Sequence, residues 1–396
     1  MQVKVRPGDT LWKYSIWFGI PYQLILDSNR EAAAGVLAVG DTVQIPGYIW
    51  AEHTVIAGDS LWRIATMNGV SVDLLLQSNP ELQGEMLSIG SKIAVPRRVT
   101  RRVVEARRLY GYGSLLEDMN RLTDIYPFLV RSDIGTSVMG KPIPALGIGN
   151  GNKKIHFNGS MHANEWITTP VLMQFLNDYL LSLTNSMDLG GLAMYPQYLT
   201  TTLSIVPMVN PDGVNLVVSG PPDGEPFRSE VIAINGGSND FSGWKANIRG
   251  VDLNKQFPAL WERDAVQGPQ VPAPRDYSGT APLTEPEARS LAEFTRASGF
   301  QRALAFHTQG KVIFWGFEGL EPPQSEVLAN EFAAVSGYEA VRNADSAAGY
   351  KDWFIQDFRL PGFTVELGSG VNPLPIEQFG EIYDSALSIM LAALYM

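Results

Sequence analysis

Two kinds of hydrophobic pattern divide the chain. Over roughly the first hundred residues, short apolar runs alternate with brief amphipathic stretches, and the whole arrangement occurs twice. Pro7-Gly-Asp-Thr-Leu-Trp12 returns as Ala57-Gly-Asp-Ser-Leu-Trp62, Asn29 returns as Asn79, and Ile45-Pro46 returns as Val95-Pro96, all offset by 50 residues. A fixed period marks a repeated structural unit. Each unit reads as a strand (residues 3–5; 54–56), two short helices and a closing strand (residues 43–45; 92–95). Asp9 and Asp59, each followed by Thr or Ser and a Leu-Trp pair, suit helix N-termini. Trp12 and Trp62 suit the interior, because so small a unit needs large apolar groups to form any core.

The segment 97–108, RRVTRRVVEARR, sets six arginines against Glu105 alone and separates the repeats from the remainder of the chain. It reads as a solvated connector rather than an anion site. Downstream the apolar periods lengthen. Buried strands are predicted at residues 144–149, 154–160, 203–209, 303–307, 312–315 and 362–367, and helices at 168–183, 285–297, 325–335 and 376–394. Thr284-Glu-Pro-Glu287 has capping-box spacing, which makes Glu287 a structural residue. Alternating strands and helices imply one α/β domain around a largely buried sheet. The predicted divisions are therefore 1–48, 49–97, a linker at 98–109, and 110–396.

Composition narrows the chemistry. With 396 residues, 45% hydrophobic and 18% charged, the chain is that of a folded protein of two or three domains. A net charge of −11 disfavours nucleic acid and anionic membranes as general partners. The absence of cysteine excludes disulfides, thiolate metal sites and a cysteine nucleophile, so any metal must be held by His and carboxylate. No run of about 18 apolar residues predicts a membrane span. Asp9 and Lys13 interrupt the place where an export signal would need an apolar core, so none is visible.

Four histidines are available. His53 lies in the second repeat, and His156 alternates with apolar neighbours mid-strand, as a core histidine would. His162 closes a strand, where open α/β sheets place ligands. Glu165 comes three residues later, just before a helix, so one sharp turn can aim both side chains at a single point. His307 ends another apolar strand and would supply a third ligand; zinc hydrolases need three protein ligands and one open position.

Four ordered motifs, Gly159-Ser-Met-His-Ala-Asn-Glu-Trp-Ile167, Arg249-Gly-Val-Asp-Leu-Asn-Lys-Gln-Phe257, Phe306-His-Thr-Gln309 and Thr364-Val-Glu-Leu-Gly368, resemble those of the zinc carboxypeptidase family. The resemblance covers about residues 110–396. It implies a mixed eight-stranded sheet flanked by helices, one Zn²⁺ on His162, Glu165 and His307, and a general base at Glu366. A lone carboxylate among apolar strand residues is costly to bury, which accords with a special role for Glu366. Two departures stand out. Asn164 and the pair Asn254-Lys255 replace an arginine and an Asn-Arg pair of the pancreatic-type enzymes, and lysine lacks the bidentate fork that grips a carboxylate. Lys245, which comes directly after a tryptophan, matches the family's oxyanion cation, with Arg249 as the alternative. Tyr350 is the nearest counterpart of the family's mobile tyrosine.

The repeats, two βααβ units, resemble LysM modules, which implies binding of N-acetylglucosamine-containing glycan by loops rather than by the two tryptophans. Joined to a zinc peptidase with altered carboxylate recognition, they resemble the architecture of bacterial γ-D-glutamyl-meso-diaminopimelate peptidases. The implied partners are peptidoglycan glycan and its stem peptides. The alternatives are a wall-tethered carboxypeptidase of broad specificity and a non-catalytic glycan-binding protein. Without an export signal, the expected location is the cytoplasm, in wall recycling or sporulation, or the wall after non-classical release.

Overall fold

The computed structural model of the chain describes residues 1–33, 37–79, 82, 87–343 and 347–396. Its backbone contacts resolve into two compact units. One comprises residues 1–104, 119–130 and 177–195; the other comprises 105–118, 131–176 and 196–396.

In the first unit each repeat is a two-stranded antiparallel ribbon carrying helices. Strand β1 (Gln2–Lys4) pairs with β2 (Thr42–Gln44), and β3 (Tyr48–Thr54) pairs with β4 (Lys92–Arg98). The helices Leu11–Phe18 and Leu61–Met67 are capped by Thr10 and Ser60, whose side chains accept from the amides of Lys13 and Arg63. The aspartates are not the caps. Asp9 and Asp59 close the preceding turns, accepting from the amides of Arg6 and Ile56. The tryptophans also differ from expectation, since Trp12 is 57% and Trp62 69% exposed. The first helix buries Leu11, Tyr14, Ser15 and Phe18, a stripe of three- and four-residue steps that leaves position 12 on the outer face.

The recurrence of Asn29 and Asn79 has a direct cause. Each carboxamide donates to a helix carbonyl and to a carbonyl of the closing strand, and accepts that strand residue's amide: Asn29 bridges Ile25 and Gln44, and Asn79 bridges Leu75 and Ala94. One buried side chain thus fastens helix to strand. Nor is the arginine-rich segment a loose connector. Arg98 donates to the carbonyls of Phe18 and Thr184, Arg102 forms a two-pronged pair with Asp178 at 2.6 and 2.7 Å, and the amides of Val103 and Val104 donate to Asn177.

The second unit is built on an eight-stranded mixed sheet. In chain order the strands are β5 (Val130–Thr136), β6 (Pro142–Ile148), β7 (Lys153–Gly159), β8 (Thr201–Val206), β9 (Arg302–His307), β10 (Val312–Phe314), β11 (Glu339–Val341) and β12 (Gly362–Glu366). Across the sheet they run β11-β10-β12-β9-β7-β8-β6-β5. The four central strands, β8, β7, β9 and β12, are mutually parallel, and β6 and β10 are antiparallel to their inner neighbours. Helices cover the sheet, among them Thr168–Asn185, Pro286–Ser298, Gln324–Ser336, Tyr350–Phe358 and Phe379–Tyr395. All six residues of β9 are buried, as expected of a parallel strand covered on both faces. Among the described residues no helix is long and apolar enough to cross a membrane.

Thr284 and Glu287 do not form a capping box. The helix starts at Pro286, and Glu287 turns inward to accept from the amide of Val138 at 3.0 Å. Burial pushes the Glu287 carboxyl up to about 7, more than its backbone hydrogen bonds recover. Its role is structural all the same, since it holds the turn between β5 and β6.

Replacing Asn79 by Ala should cost the second repeat about 2–4 kcal/mol, because three backbone hydrogen bonds lose their partner in a largely buried place. Hydrogen exchange should accelerate at the amides of residues 92–98 while the zinc content stays unchanged; unaltered exchange there would refute the fastening role.

Candidate metal centre and substrate cleft

The C-terminal ends of β7, β9 and β12 share one edge of the sheet. Phe306 lies opposite Gly159, and His307 lies opposite Glu366. Beyond β7 the chain turns sharply at Ser160, a non-glycine residue with φ of 48°. Left-handed backbone of this kind persists only where its surroundings enforce it. The enforcement is local: the Ser160 amide donates to Thr168 Oγ1 at 2.7 Å, and its hydroxyl pairs with that of Thr169 at 2.7 Å. His162 then stands in extended conformation before a single 3₁₀ turn, Ala163–Glu165.

That turn brings three buried side chains together. His162 Nδ1 lies 2.8 Å from one Glu165 oxygen, His307 Nδ1 lies 2.9 Å from the other, and the two imidazole nitrogens are 3.1 Å apart. Ligand atoms about 2.1 Å from a tetrahedral zinc are about 3.4 Å from one another. The triangle therefore needs only a slight opening to hold the ion. Two nitrogens and a carboxylate oxygen, with no thiolate, form a donor set suited to zinc at a catalytic site.

The electrostatics favour a cation at this point. Desolvation lowers the His162 imidazole, but Glu165 overcomes it, with Asp252 assisting and Lys245 opposing, and the group is raised to about 9. His307 is lowered by burial, which Glu165 only partly offsets. Glu165 is itself a fully buried carboxylate, held below its usual range by the two imidazoles against the cost of burial.

Several neighbours of the ligands are not evident from sequence. Asp252 Oδ1 lies 3.2 Å from His162 Nε2, and its other oxygen lies 2.8 Å from Lys245 Nζ. Donation of the Nε2 proton to this carboxylate leaves Nδ1 as the ligand atom and makes the ring more basic. Asn372 donates to the carbonyl of Thr308 at 2.8 Å, beside His307. The Gly-Val-Asp motif places Asp252 only once the loop is folded. The nearest signal in the sequence is its position two residues before Asn254.

A cavity of about 540 Å³ opens on the centre, lined by His162, Asn164, Glu165, Arg275, Gln309 and Asn372 among others. A second, of about 580 Å³, adjoins it and contains Asn254, Lys255, Asp264, Lys351 and Asp352 in its wall. Lys245, Phe314 and Glu366 line both. At this junction the Glu366 carboxyl is pushed up to about 8, chiefly by burial and then by the charge of Glu165, with His162 and Lys245 pulling the other way. A dication among the ligands would add to that downward pull.

Of the remaining candidates, Lys245 reaches the centre, and Ala163 donates its amide to the Lys245 carbonyl at 3.0 Å. Asn254 and Lys255 line the second cavity. Two others do not belong to the cleft. Arg249 pairs with Glu285 at 3.6 Å and lines a separate depression with Ile234 and Pro272. Tyr350 starts a helix with its ring in the core, 1% exposed, and its hydroxyl meets Thr295 at 3.0 Å. Its burial results from packing against Phe257, Trp353 and Phe354, and it cannot serve as a substrate contact there. His156 is likewise a core residue, stacked on Phe300.

Comparison with known proteins accords with this geometry. Residues 115–385 match the zinc carboxypeptidase family profile, and residues 3–46 and 53–96 each match the LysM domain. The gamma-D-glutamyl-L-diamino acid endopeptidase 1 of Lysinibacillus sphaericus is 61% identical over 396 residues, the full length of both chains. An uncharacterised protein of Bacillus subtilis is 43% identical over 74% of this chain and 79% of its own. Among solved structures, bovine thrombin-activatable fibrinolysis inhibitor superposes with a TM-score of 0.58 at 18% identity, over 73% of this chain and 97% of its own. Carboxypeptidase A of Helicoverpa armigera gives 0.55 at 18% identity, over 84% and 85%. At such identity the likeness speaks for the fold alone.

Asp252→Asn should weaken zinc binding by about 10–100-fold, because the substitution removes the charged acceptor that orients His162. Competition with a chromophoric chelator measures it; unchanged affinity would separate Asp252 from the metal.

Proposed function

We propose that this chain, which belongs to the zinc carboxypeptidase family, hydrolyses the amide between the γ-carboxyl of D-glutamate and a diamino acid, meso-diaminopimelate, in peptidoglycan stem peptides. One observation carries the choice of bond. Lys255, at the position where the pancreatic-type pattern has a carboxylate-gripping arginine, lies 2.5 Å from Asp264 Oδ2. A lysine neutralised in this way is a poor anchor for a chain-terminal carboxylate, so an ordinary C-terminal residue is not the favoured leaving group. The full-length similarity to the Lysinibacillus sphaericus endopeptidase supports the same bond.

His162, Glu165 and His307 hold the zinc, which when bound supplies Lewis acidity at the carbonyl and toward water. Glu366 accepts the proton of the attacking water and passes it to the departing amine nitrogen of the diamino acid. Its position at the junction of the two cavities lets one carboxylate serve both transfers. Lys245, anchored by Asp252 at 2.8 Å and Asp276 at 3.1 Å, offers positive charge to the carbonyl oxygen as it becomes anionic. The LysM modules hold the enzyme on N-acetylglucosamine-containing glycan, close to the stem peptides it cuts.

Zinc-loaded protein incubated with L-Ala-γ-D-Glu-meso-diaminopimelate should release diaminopimelate, identified by mass, and should leave a blocked ordinary peptide intact. Cleavage of the ordinary peptide alone would refute the proposed bond. Glu366→Gln should keep stoichiometric zinc and lose turnover by on the order of 10³-fold or more, the combined worth of a positioned base and its electrostatics. Retained turnover would move the base elsewhere.

A further inference from the structure

The cavity of the metal centre contains a cation that the mechanism does not use. Its lysine and arginine side chains are Lys245 and Arg275. Lys245 serves the carbonyl oxygen, which leaves Arg275 without a task. The Arg275 side chain is 62% exposed, and its Nε lies 3.0 Å from Asp276 Oδ2. A guanidinium has five N–H donors, so the edge formed by its two terminal nitrogens stays open to a ligand. Asn164, in place of a family arginine, lines the same cavity, and its Oδ1 is buried without a hydrogen-bond partner. Such an acceptor is costly to bury unless a ligand supplies the donor.

Arg275 is held on a fixed loop. The carbonyl of Pro274 accepts from the amides of Lys245 and Ala246 at 2.8 and 3.0 Å, and the carbonyl of Tyr277 accepts from the amide of Asp252 at 2.8 Å. Between these anchors Asp276 has left-handed backbone, with φ of 66°. Its carboxylate joins two cations, for Oδ1 lies 3.1 Å from Lys245 Nζ and Oδ2 lies 3.0 Å from Arg275 Nε. Cations placed on the two oxygens of one carboxylate stand roughly 5–8 Å apart. The substrate has a matching span. In a glutamyl residue joined through its γ-carbonyl, the free α-carboxylate is four bonds from the scissile carbonyl carbon, about 5 Å when extended. Glu366 passes its proton to the leaving nitrogen where the two cavities meet, so the acyl residue lies on the metal side of that junction. With its carbonyl oxygen at Lys245, its α-carboxylate falls to Arg275. The same α-carbon carries an amide N–H, a donor of the kind that Asn164 lacks.

We propose that Arg275 grips the α-carboxylate of the D-glutamyl residue and thereby selects stem peptides whose D-glutamate is free over those in which it is amidated to isoglutamine. The inference rests on the reading of the enzyme as a γ-D-glutamyl–diamino acid endopeptidase and adds the residue that recognises the acyl side. Pairing with Asp276 does not disable Arg275 as it would a lysine, because a guanidinium can meet one carboxylate through Nε and a second through its terminal nitrogens. A carboxamide in the same place brings no charge, and it turns an NH₂ toward donors that have no acceptor to offer it.

The test uses the full-length zinc-loaded protein and two peptides, L-Ala-γ-D-Glu-meso-diaminopimelate and L-Ala-γ-D-isoglutaminyl-meso-diaminopimelate, which differ only in whether the α-carboxyl of D-glutamate is free or amidated. The wild type should favour the free acid in kcat/KM by about 10-fold, the worth of one charge-assisted hydrogen bond. Arg275→Gln should bring that ratio close to one, mainly by raising KM for the free acid, while zinc content is retained. Arg275→Lys should keep part of the preference, since charge without the fork still attracts a carboxylate. A merely structural role would lower both peptides alike and leave the ratio where it was. Equal rates on both peptides in the wild type, or a ratio unmoved by Arg275→Gln, would overturn the assignment. A wild type that cuts neither peptide overturns the endopeptidase reading, and the assignment with it.

Discussion

The register of β7, β9 and β12 is the constraint on which the rest of the centre depends. A shift of one residue in β12 would turn Glu366 to the opposite face of the sheet. In the observed register His307 and Glu366 stand side by side at the ends of adjacent strands, and β9 ends near the level at which β7 gives way to the Ser160 turn. Ligands and proposed base are therefore fixed by backbone pairing inside a buried parallel sheet, the stiffest part of the fold. The turn that carries His162 and Glu165 is the irregular element among them, and it is tied down by the hydroxyls of Ser160, Thr168 and Thr169.

That geometry has an electrostatic cost which the metal resolves. Glu165 and Asp252 are buried, Glu366 stands beside them, and the cation paired among them is Lys245. With Asp276 also on Lys245 at 3.1 Å, four carboxylates around one ammonium make an under-neutralised cluster in a medium that screens poorly. Without a further positive charge it responds as a strained cluster must: His162 is drawn toward protonation, and Glu366 toward the neutral acid. A dication on the ligands relieves both tendencies at once and leaves Glu366 free to act as a base. Zinc binding is thereby coupled to the stability of the sheet edge as well as to chemistry.

The parts of the centre that are legible in sequence are those that end apolar strands. His307 and Glu366 interrupt runs that are otherwise buried, and His162 with Glu165 spans a strand-to-helix turn, so local pattern alone marks them. Local pattern does not show which side chains meet across loops. Asp252 gains its role by contact with His162, 90 residues away in sequence, and the choice of Lys245 over Arg249 depends on a loop path rather than on residue type. Tyr350 departs from expectation for a related reason: a Gly-Tyr pair resembles a surface loop, yet here it opens a helix packed into the core. The edge strand β11 is hidden in the sequence because it is short and lacks the buried pattern of the centre. Trp12 and Trp62 depart the other way, since bulk alone argues for the interior while the helical stripe through Leu11, Tyr14 and Phe18 already fills it in the first repeat.

Pairing, more than the number of charges, shapes what the second cavity presents. A solitary lysine in the second cavity would attract any terminal carboxylate. The same lysine held by Asp264 presents a dipole, and the adjacent Lys351–Asp352 pair presents another. Dipoles reward a ligand in proportion to how well its own charges are spaced against them, and they reject a bare charge of either sign because one half of each pair is then left facing it. A family scaffold that elsewhere accepts an exposed chain terminus can in this way be turned toward one kind of side chain without moving the strands that hold the metal. The paired charges lie on loops and helix starts around the sheet edge, where a charge can be paired or unpaired without disturbing the register of β7, β9 and β12.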